Sequence, residues 1–217
     1  MASLRFTRAA ADPYVTMPND AAGGPTPARE YAIELRRPRY EDLGALHAAV
    51  AVSVSELQRW LGWCTPAYSL NEAADWLSSR IRMWDEGTEY DFVITDPSSG
   101  EIVGVCGLNG LNRANNLANL GYWIRTNWTR RGIATAAVQM VARFALQKLA
   151  FGRVEIIAAV GNVASQRVAE KAGATREGVL RCRTVVREHV HDAVIFSFTK
   201  EDLPKLRVPD RAKIHDA

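Results

Sequence analysis

Hydrophobic and polar residues follow two different periods along this chain, and the periods divide it into candidate strands and helices. Alternation with a period of two is typical of half-buried strands, whereas apolar residues spaced three or four apart are typical of amphipathic helices. The strand pattern occurs at 32–37, 89–95, 101–111, 116–125, 153–160, 177–187 and 190–199. The helix pattern occurs at 40–61, 69–86, 132–149 and 162–171.

The candidate helices also carry capping residues at their ends. Ser69 and Glu72, in the segment 69-SLNE-72, have the spacing of a capping box. Asn162 is a favourable N-cap for the last helix, and Gly173 is a favourable C-cap. The resulting order of elements is β-α-α-β-β-β-α-β-α-β-β. It predicts an α/β fold with a mixed sheet, built as a single domain over residues 31–206.

Composition excludes several classes of protein. The 217 residues include 27 basic and 24 acidic side chains, and this net charge of +3 is too small for a dedicated nucleic-acid binder. The three cysteines form no CxxC pair, which favours reduced thiols in a cytoplasmic protein over a disulfide framework. No apolar run approaches the roughly 18 residues that a membrane-spanning helix needs.

The two ends of the chain differ in composition from the rest. Residues 1–30 contain four prolines and a Gly-Gly pair without an apolar core, which predicts a disordered leader. Arg5 and Arg8 precede any acidic residue, so a transit peptide is the alternative interpretation of this segment. Residues 207–217 are predicted to form a polar tail.

The segment 128-WTRRGIATAA-137 joins a strand to a helix through two arginines and a glycine. The first amides of a helix have no partner within the helix, and glycine lets an anion approach the backbone. The segment has neither the GxxxxGK[ST] pattern nor the GxGxxG pattern. Taken alone, it is equally compatible with a phosphate site and with an ordinary helix start flanked by solvated arginines.

A second segment, 162-NVASQRVAEKAGATREGVLR-181, follows one strand later. A [Q/R]xxGx[G/A] loop followed after one strand by an Asn-led helix resembles the GNAT acyltransferase superfamily. The segment 121-GYWI-124 and the pair 191-HD-192 extend the similarity to the RimJ/RimL-type N-terminal acetyltransferases. The resemblance spans roughly residues 31–203. It implies the GNAT fold, whose mixed sheet is mostly antiparallel and is flanked by helices.

The resemblance also implies acetyl-CoA as the acetyl donor and no metal. The pantetheine arm would lie along Trp123, Ile124 and Arg125, where family members separate the fourth strand from the fifth, and Asn162 would hold the arm near the thioester. The diphosphate would lie on Arg130, Arg131, Gly132, Ile133, Ala134 and Thr135.

Ser165 matches a serine that lies near the leaving sulfur in RimL-like enzymes. A departing thiolate has a pKa of about 8.5 and needs a proton donor, which a hydroxyl can provide without carrying charge. The resemblance therefore implies a catalytic role for Ser165. The alternative is that Ser165 is only a serine in the first turn of a helix.

The chain departs from the family pattern in two places, one in the loop and one on the strand before it. Thr129 stands where the family usually has Gln or Arg, and Arg130 occupies a place often given to glycine. Asn119 stands where family members often carry a glutamate that receives the proton of the amine. An amide can orient water but cannot take a proton, so Glu89 or Asp91 on the neighbouring strand are candidate replacements.

The acceptor amine also bears on the question of the base. A lysine amine with a pKa of about 10.4 is only about 0.1% neutral at pH 7.5, whereas an α-amine with a pKa near 7.8 is roughly one-third neutral. Without a strong base, this difference favours an α-amine as the acceptor.

Three further groups of residues are open to more than one interpretation. Trp60 and Trp63 belong either to the core or to the acceptor pocket, since 57-LQRWLGW-63 falls where GNAT proteins line that pocket. His189 and His191 face the same side of a strand and could bind a metal, but no third ligand is evident. A basic cluster consists of Arg176, Arg181, Arg183 and Arg187. It is interpreted either as a solvated strand face or as a site for an acidic partner or the CoA 3′-phosphate.

Together the motifs predict a cytoplasmic acetyltransferase that moves an acetyl group from acetyl-CoA to a primary amine. The amine would attack directly in a ternary complex, with the oxyanion held by a backbone amide of the fourth strand. A protein N-terminal α-amine is the first hypothesis for the acceptor. The alternatives are a small amine, such as a polyamine, amino acid or antibiotic, and a non-catalytic acyl-CoA-binding module. A homodimer through the helices or the last strands is left open.

Overall fold

The computed structural model describes residues 31–207 and 212–215. The predicted leader at 1–30 therefore lies outside the described residues. The helices are α1 (Leu43–Ala51), α2 (Val54–Leu57), α3 (Leu70–Glu86), α4 (Ile133–Gln147) and α5 (Val163–Ala172). The strands are β1 (Ile33–Arg36), β2 (Tyr90–Thr95), β3 (Ile102–Asn112), β4 (Leu117–Ile124), β5 (Arg153–Ala159), β6 (Thr175–Val186), β7 (His189–Thr199) and β8 (Ala212–His215).

The strands form one sheet in the order β6-β7-β5-β4-β3-β2-β1-β8. The pairs β4–β5 and β1–β8 are parallel, and every other pair is antiparallel. The predicted mixed and mostly antiparallel sheet is therefore confirmed.

The local signals at the helix ends are also confirmed. The Ser69 side chain accepts a hydrogen bond from the Glu72 amide while the Glu72 side chain caps the Ser69 amide. Asn162 accepts from the Ser165 amide, and Gly173 ends α5 with a left-handed φ of 91°. These devices act within one helical turn, which explains why the sequence alone revealed them.

Two predictions about elements need correction. The single helix expected at 40–61 is a 3-10 turn at Tyr40–Asp42 followed by the separate helices α1 and α2. The break falls at Ser53, whose side chain is buried and donates to the Ala49 carbonyl. The expected polar tail contains β8, which pairs with the edge strand β1 and brings Ala212 into the core.

The two faces of the sheet are covered by different helices. The face that carries Val93, Val105 and Trp123 packs against α1 and α3; it is called the α1/α3 face below. The opposite face carries fully buried side chains such as Phe92 and Phe196 and packs against α4 and α5. A path from one face to the other must therefore pass between strands.

Such a path exists because β4 and β5 separate after a short paired segment. The paired residues are Leu117–Asn119 of β4 and Arg153–Glu155 of β5. Beyond them β4 continues to Ile124 and β5 to Ala159 without pairing to each other. The backbone of each strand is left with an open edge, and a cleft lies between these edges.

Candidate active site

The cleft between β4 and β5 is a cavity of about 130 Å³ that reaches both faces of the sheet. Side chains from five different parts of the fold meet there. They come from the segment after α2, from β4, from β5, from the start of α5 and from β6. Those used below are Trp60, Gly121, Tyr122, Asn162, Ser165 and Thr184.

The loop before α4, which follows the end of β4, presents a row of free backbone donors. Among the described residues, none of the amides from Arg130 to Thr135 donates a hydrogen bond to the protein. Arg130 and Gly132 both have left-handed φ angles, of 62° and 79°. A left-handed Arg130 is strained relative to glycine, which fits the observation that glycine often stands at this position in the family. Free amides at the positive end of a 15-residue helix form a site for an anion such as a phosphate.

The two adjacent arginines of this loop have different environments. Arg131 stacks on two aromatic rings, with its guanidinium carbon 4.4 Å from the centre of Trp128 and 5.2 Å from the centre of Tyr31. It also donates to the Asn127 carbonyl at 3.0 Å. Arg130 is exposed, and no hydrogen bond or ion pair joins its side chain to the described residues. Arg130 is therefore free to contact a bound anion, whereas Arg131 is held by the protein.

Ser165 does not stand alone in the cleft. The Tyr122 hydroxyl donates to the Ser165 carbonyl at 2.9 Å and lies 3.0 Å from Ser165 Oγ. Asn162 accepts from the Ser165 amide at 3.1 Å and thereby fixes the first turn of α5. Burial raises the pKa of Tyr122, so its hydroxyl keeps its proton. The two hydroxyl groups carry two protons. The Ser165 carbonyl accepts a hydrogen bond from only one of the two groups, so the other hydroxyl can donate its hydrogen bond within the cleft.

Asn119 lies at the last paired position of β4, where the cleft begins. Its side-chain nitrogen donates to Asn109 Oδ1 at 2.8 Å. Its Oδ1 atom is buried and has no hydrogen-bond partner among the described residues. Buried polar atoms are nearly always satisfied, so an unpartnered oxygen at a cleft marks a place for water or a ligand N–H. Across the strand pair, Asn119 is the partner of Glu155, whose carboxylate accepts from Arg153 at 2.8 Å.

Of the two candidate replacements for the base, Asp91 lies on β2 and Glu89 immediately precedes it, and β3 and β4 separate β2 from the cleft. Glu89 forms a close ion pair with Arg80 of α3. Asp91 is further from the same guanidinium, at 3.4 Å. Burial raises the pKa of Asp91 to about 6, and Arg80 opposes this shift only in part.

The other sequence candidates divide between the cleft and its surroundings. Trp60 lines the cleft and packs on Gly161, where an added Cβ would lie 3.0 Å from the ring. Trp63 is 43% exposed and contacts Trp123 beside the cleft. The Arg125 side chain forms an ion pair with Glu101 at 2.7 Å, which leaves the prediction for its backbone untouched.

The histidines and the basic cluster lie on the last hairpin, β6–β7. The rings of His189 and His191 are 6.5 Å apart, and the described residues contain no group of three or more possible metal ligands. Arg187 donates to Gln58 at 3.1 Å, so it ties the hairpin to the segment after α2.

Among the described residues, no helix has the length and hydrophobicity needed to cross a membrane.

Sequence reasoning missed three residues at the cleft. Tyr122 belongs to the quoted 121-GYWI-124 motif, but nothing in the motif indicated contact with Ser165. Glu155 and Thr184 lie in ordinary strand patterns and carry no local signal. Their positions follow from the strand order.

Comparison with known proteins agrees with this geometry. The acetyltransferase (GNAT) domain family matches residues 32–175, which is most of the described chain. The protein belongs to the GNAT acetyltransferase family. The resemblance deduced from the motifs is thereby confirmed.

Relatives of this GNAT protein include ribosomal-protein acetyltransferases. One relative is YdaF of Bacillus subtilis (strain 168), whose name assigns it provisionally to the ribosomal N-acetyltransferases. It is 37% identical to this chain over 103 residues, which cover 48% of this chain and 56% of YdaF. The ribosomal-protein-serine acetyltransferase of Escherichia coli (strain K12) is 22% identical, with 76% of this chain and 92% of that protein covered. The solved structure of RimL, a ribosomal L7/L12 α-N-protein acetyltransferase in complex with CoA, superposes with a TM-score of 0.72 at 24% identity, covering 77% and 94% of the two chains.

The site of this GNAT protein fits CoA in two respects. The free amides from Arg130 to Thr135 suit the diphosphate, because they combine unsatisfied donors with the positive end of α4. The open edge of β4 beyond Asn119 offers unpaired backbone groups to an extended amide chain such as pantetheine. Both features depend on backbone conformation, so they do not require the family's usual Gln or Arg at position 129.

Proposed function

We propose that the protein transfers the acetyl group of acetyl-CoA to a protein N-terminal α-amine by direct attack in a ternary complex. The observation that carries the proposal is the cleft through the sheet. Unpaired amides lie at one end, the Tyr122–Ser165 hydroxyl pair lies within it, and the unpartnered Asn119 oxygen lies at its start. Donor and acceptor can thus enter from opposite faces of the sheet and meet between β4 and β5.

The donor side of the cleft supports three roles. The amides of Arg130, Gly132 and the first turn of α4 bind the diphosphate. Trp123, Ile124 and Arg125 provide the open backbone edge for the pantetheine arm, with a β4 amide directed at the thioester oxygen. Asn162 holds the start of α5 so that Ser165 faces the leaving sulfur.

The hydroxyl pair supplies the proton that the leaving thiolate requires. Since the Tyr122 hydroxyl is held by the Ser165 carbonyl, the Ser165 hydroxyl is free to turn towards the sulfur. Tyr122 then positions Ser165 and restores its hydrogen bond after the transfer. No cysteine takes part, because Cys64, Cys106 and Cys182 are not among the residues that line the cleft.

The acceptor side favours an amine of low pKa. Asn119 can orient an attacking amine through its unpartnered oxygen but cannot remove a proton. An α-amine is several hundred times more often neutral at pH 7.5 than a lysine amine, by the roughly 2.6-unit difference in pKa. The name of the Escherichia coli relative, which specifies a ribosomal-protein serine, supports the same class of acceptor.

The test is a thiol-release assay with acetyl-CoA and matched peptides. One peptide has a free N-terminus with its lysine blocked, and the other has a blocked N-terminus with its lysine free. We expect release only with the first peptide. Activity confined to small amines would replace the proposed acceptor, and clear CoA binding without any transfer would indicate a non-catalytic acyl-CoA-binding module. Absence of CoA binding in isothermal titration calorimetry would refute the whole proposal.

A further inference from the structure

One buried carboxylate faces the acceptor side of the sheet without being locked in a close ion pair. Asp91 of β2 is the register partner of Gly107 on β3, and Gly107 is in turn the partner of Gly121 on β4. Register partners share a face, so these three residues form a row across the α1/α3 face of the sheet. Gly121 lines the cleft, and the row therefore leads from Asp91 to the cleft.

The two glycines leave this row open. A Cβ at position 107 would lie 2.1 Å from Asp91 Oδ1, so the carboxylate lies directly over Gly107 and occupies the space of a missing side chain. A Cβ at position 121 would have only the Asn109 amide nitrogen nearby, at 3.5 Å. Adjacent strands place partner Cα atoms about 5 Å apart. The carboxylate is therefore about one strand spacing from the cleft, a gap that a single water molecule bridges.

The neighbouring carboxylate, Glu89, is a poorer candidate for chemistry. It forms the closer ion pair with Arg80, and this contact neutralises it. The charged groups on the same face as Asp91 are Arg80 from α3 and Glu89, which immediately precedes β2. The Cys106 thiol of β3 interacts electrostatically with Asp91 but belongs to the opposite face of the sheet. The Asp91 side chain remains 12% exposed. Burial raises its pKa to about 6, so the carboxylate can gain and lose a proton near neutral pH.

We propose that Asp91 accepts the proton of the attacking amine through a water molecule held over the Gly107–Gly121 pair. This inference rests on the proposed acetyl transfer and completes its proton balance. The amine nitrogen forms a bond to the acetyl carbon as the C–S bond breaks with its electron pair. One N–H proton passes through the water to Asp91, and the thiolate receives a proton from Ser165, which takes one back from solvent water as Asp91 releases its own. The Asn119 and Asn109 amides, which are hydrogen-bonded to each other beside Gly121, hold the amine and the water in place.

The role of Asp91 also agrees with an α-amine as the acceptor. A carboxylate with a pKa of about 6 is a weak base, and it can take a proton once the amine nitrogen has attacked. It cannot generate a useful fraction of neutral lysine amine at neutral pH, because the two pKa values differ by about four units.

The test is the pH dependence of acetyl transfer to a free N-terminal peptide by Asp91→Asn. We expect the wild-type kcat to rise with pH through about 6, as Asp91 loses its proton. In Asp91→Asn we expect this rising limb of the pH profile to disappear and kcat to fall roughly a hundredfold. The CoA affinity should stay within about twofold of the wild type, since the donor site lies at the α4 loop. Asp85→Asn is the matched control, because it removes an exposed carboxylate of α3 by the same chemical change and should leave the profile intact.

Glu89→Gln provides a second, independent readout. Removing this carboxylate releases Arg80 to pair with Asp91 and removes a neighbouring negative charge, and both effects lower the pKa of Asp91. The limb should move to lower pH rather than disappear, a result that a merely structural role of the cluster does not produce. If Asp91→Asn fails to fold, the position of the limb in Glu89→Gln decides the matter, and an unmoved limb overturns the inference.

The outcomes separate this inference from the proposed function. An active wild-type enzyme whose Asp91→Asn variant keeps the limb near pH 6 and most of its kcat would overturn the role of Asp91 alone. A wild-type protein without transfer to any α-amine would instead overturn the proposed function.

Discussion

Arg130 and Arg131 are adjacent in the proposed anion-binding loop, yet replacing them should give opposite results. Arg131→Ala should lower the stability of the fold and change CoA affinity little. Arg130→Ala should leave stability unchanged and weaken CoA binding. The reason is that Arg131 is stacked between Trp128 and Tyr31, whereas the Arg130 side chain is exposed with no partner among the described residues.

The magnitude for Arg131 follows from its three contacts. Each cation–π contact at a partly exposed site contributes about 0.5–1 kcal/mol. The hydrogen bond to the Asn127 carbonyl contributes about 0.5–1.5 kcal/mol. The loss is then about 2 kcal/mol, which for a chain of this size lowers the melting temperature by roughly 4–8 °C. For Arg130, a guanidinium about 4 Å from a phosphate in water contributes about 1 kcal/mol, so its removal should weaken CoA binding about fivefold.

Thermal denaturation followed by circular dichroism measures the first effect, and isothermal titration with CoA at two salt concentrations measures the second. The CoA affinity of Arg130→Ala should depend less on salt than that of the wild type, since one charge no longer faces the phosphate. Arg131→Lys is the control, because it keeps the charge but loses the planar stacking group. It should be nearly as unstable as Arg131→Ala.

Two results would refute this reasoning. A melting temperature of Arg131→Ala within about 1 °C of the wild type would show that the stacking does not stabilise the loop. Equal CoA affinities of Arg130→Ala and the wild type at low salt would show that the exposed guanidinium does not face the anion.

Three further predictions concern the hydroxyl pair, an ion pair and a helix cap. Tyr122→Phe and Ser165→Ala should each lower the rate of thiol release while leaving CoA affinity nearly intact, and the double variant should be no slower than the worse single one because the two hydroxyls act together; additive losses would contradict this. The Arg153 hydrogen bond lowers the pKa of Glu177 to about 2, so the stabilisation by Glu177 is present above its unfolded pKa near 4.3 and is lost as pH falls towards 2. Glu177→Gln should therefore be less stable than the wild type in urea at pH 7 but not near pH 2, and a difference independent of pH would exclude this linkage. Ser69→Ala removes the N-cap of α3 and should lower the melting temperature by about 2–4 °C, whereas Ser69→Asp, which can still cap, should not.

The parts of the candidate active site that could be predicted from the sequence are those formed by residues close together in the chain. The loop before α4, the Asn162 cap and Ser165 all lie within short motifs, and Asn162 and Ser165 line one cleft in the structure. The adjacent arginines marked an anion site but did not reveal that Arg131 stacks on Tyr31, a residue 100 positions away. The distinction between Glu89 and Asp91 likewise depended on Arg80 of α3, which belongs to another element.

By itself, the sequence determined the order of most elements and the helix caps, and it indicated the loop before α4 as a candidate phosphate site. Each of these depends on hydrogen bonds or side-chain periodicity within a few residues. Only the tertiary structure decided how far β4 pairs with β5, and therefore where the cleft opens. Alternation with a period of two shows which side chains share a face, but it does not specify which strand lies alongside or where pairing stops. The contact between Tyr122 and Ser165, the position of Asn119 opposite Glu155 and the row from Asp91 to Gly121 follow from that pairing, because each joins residues on different strands or helices.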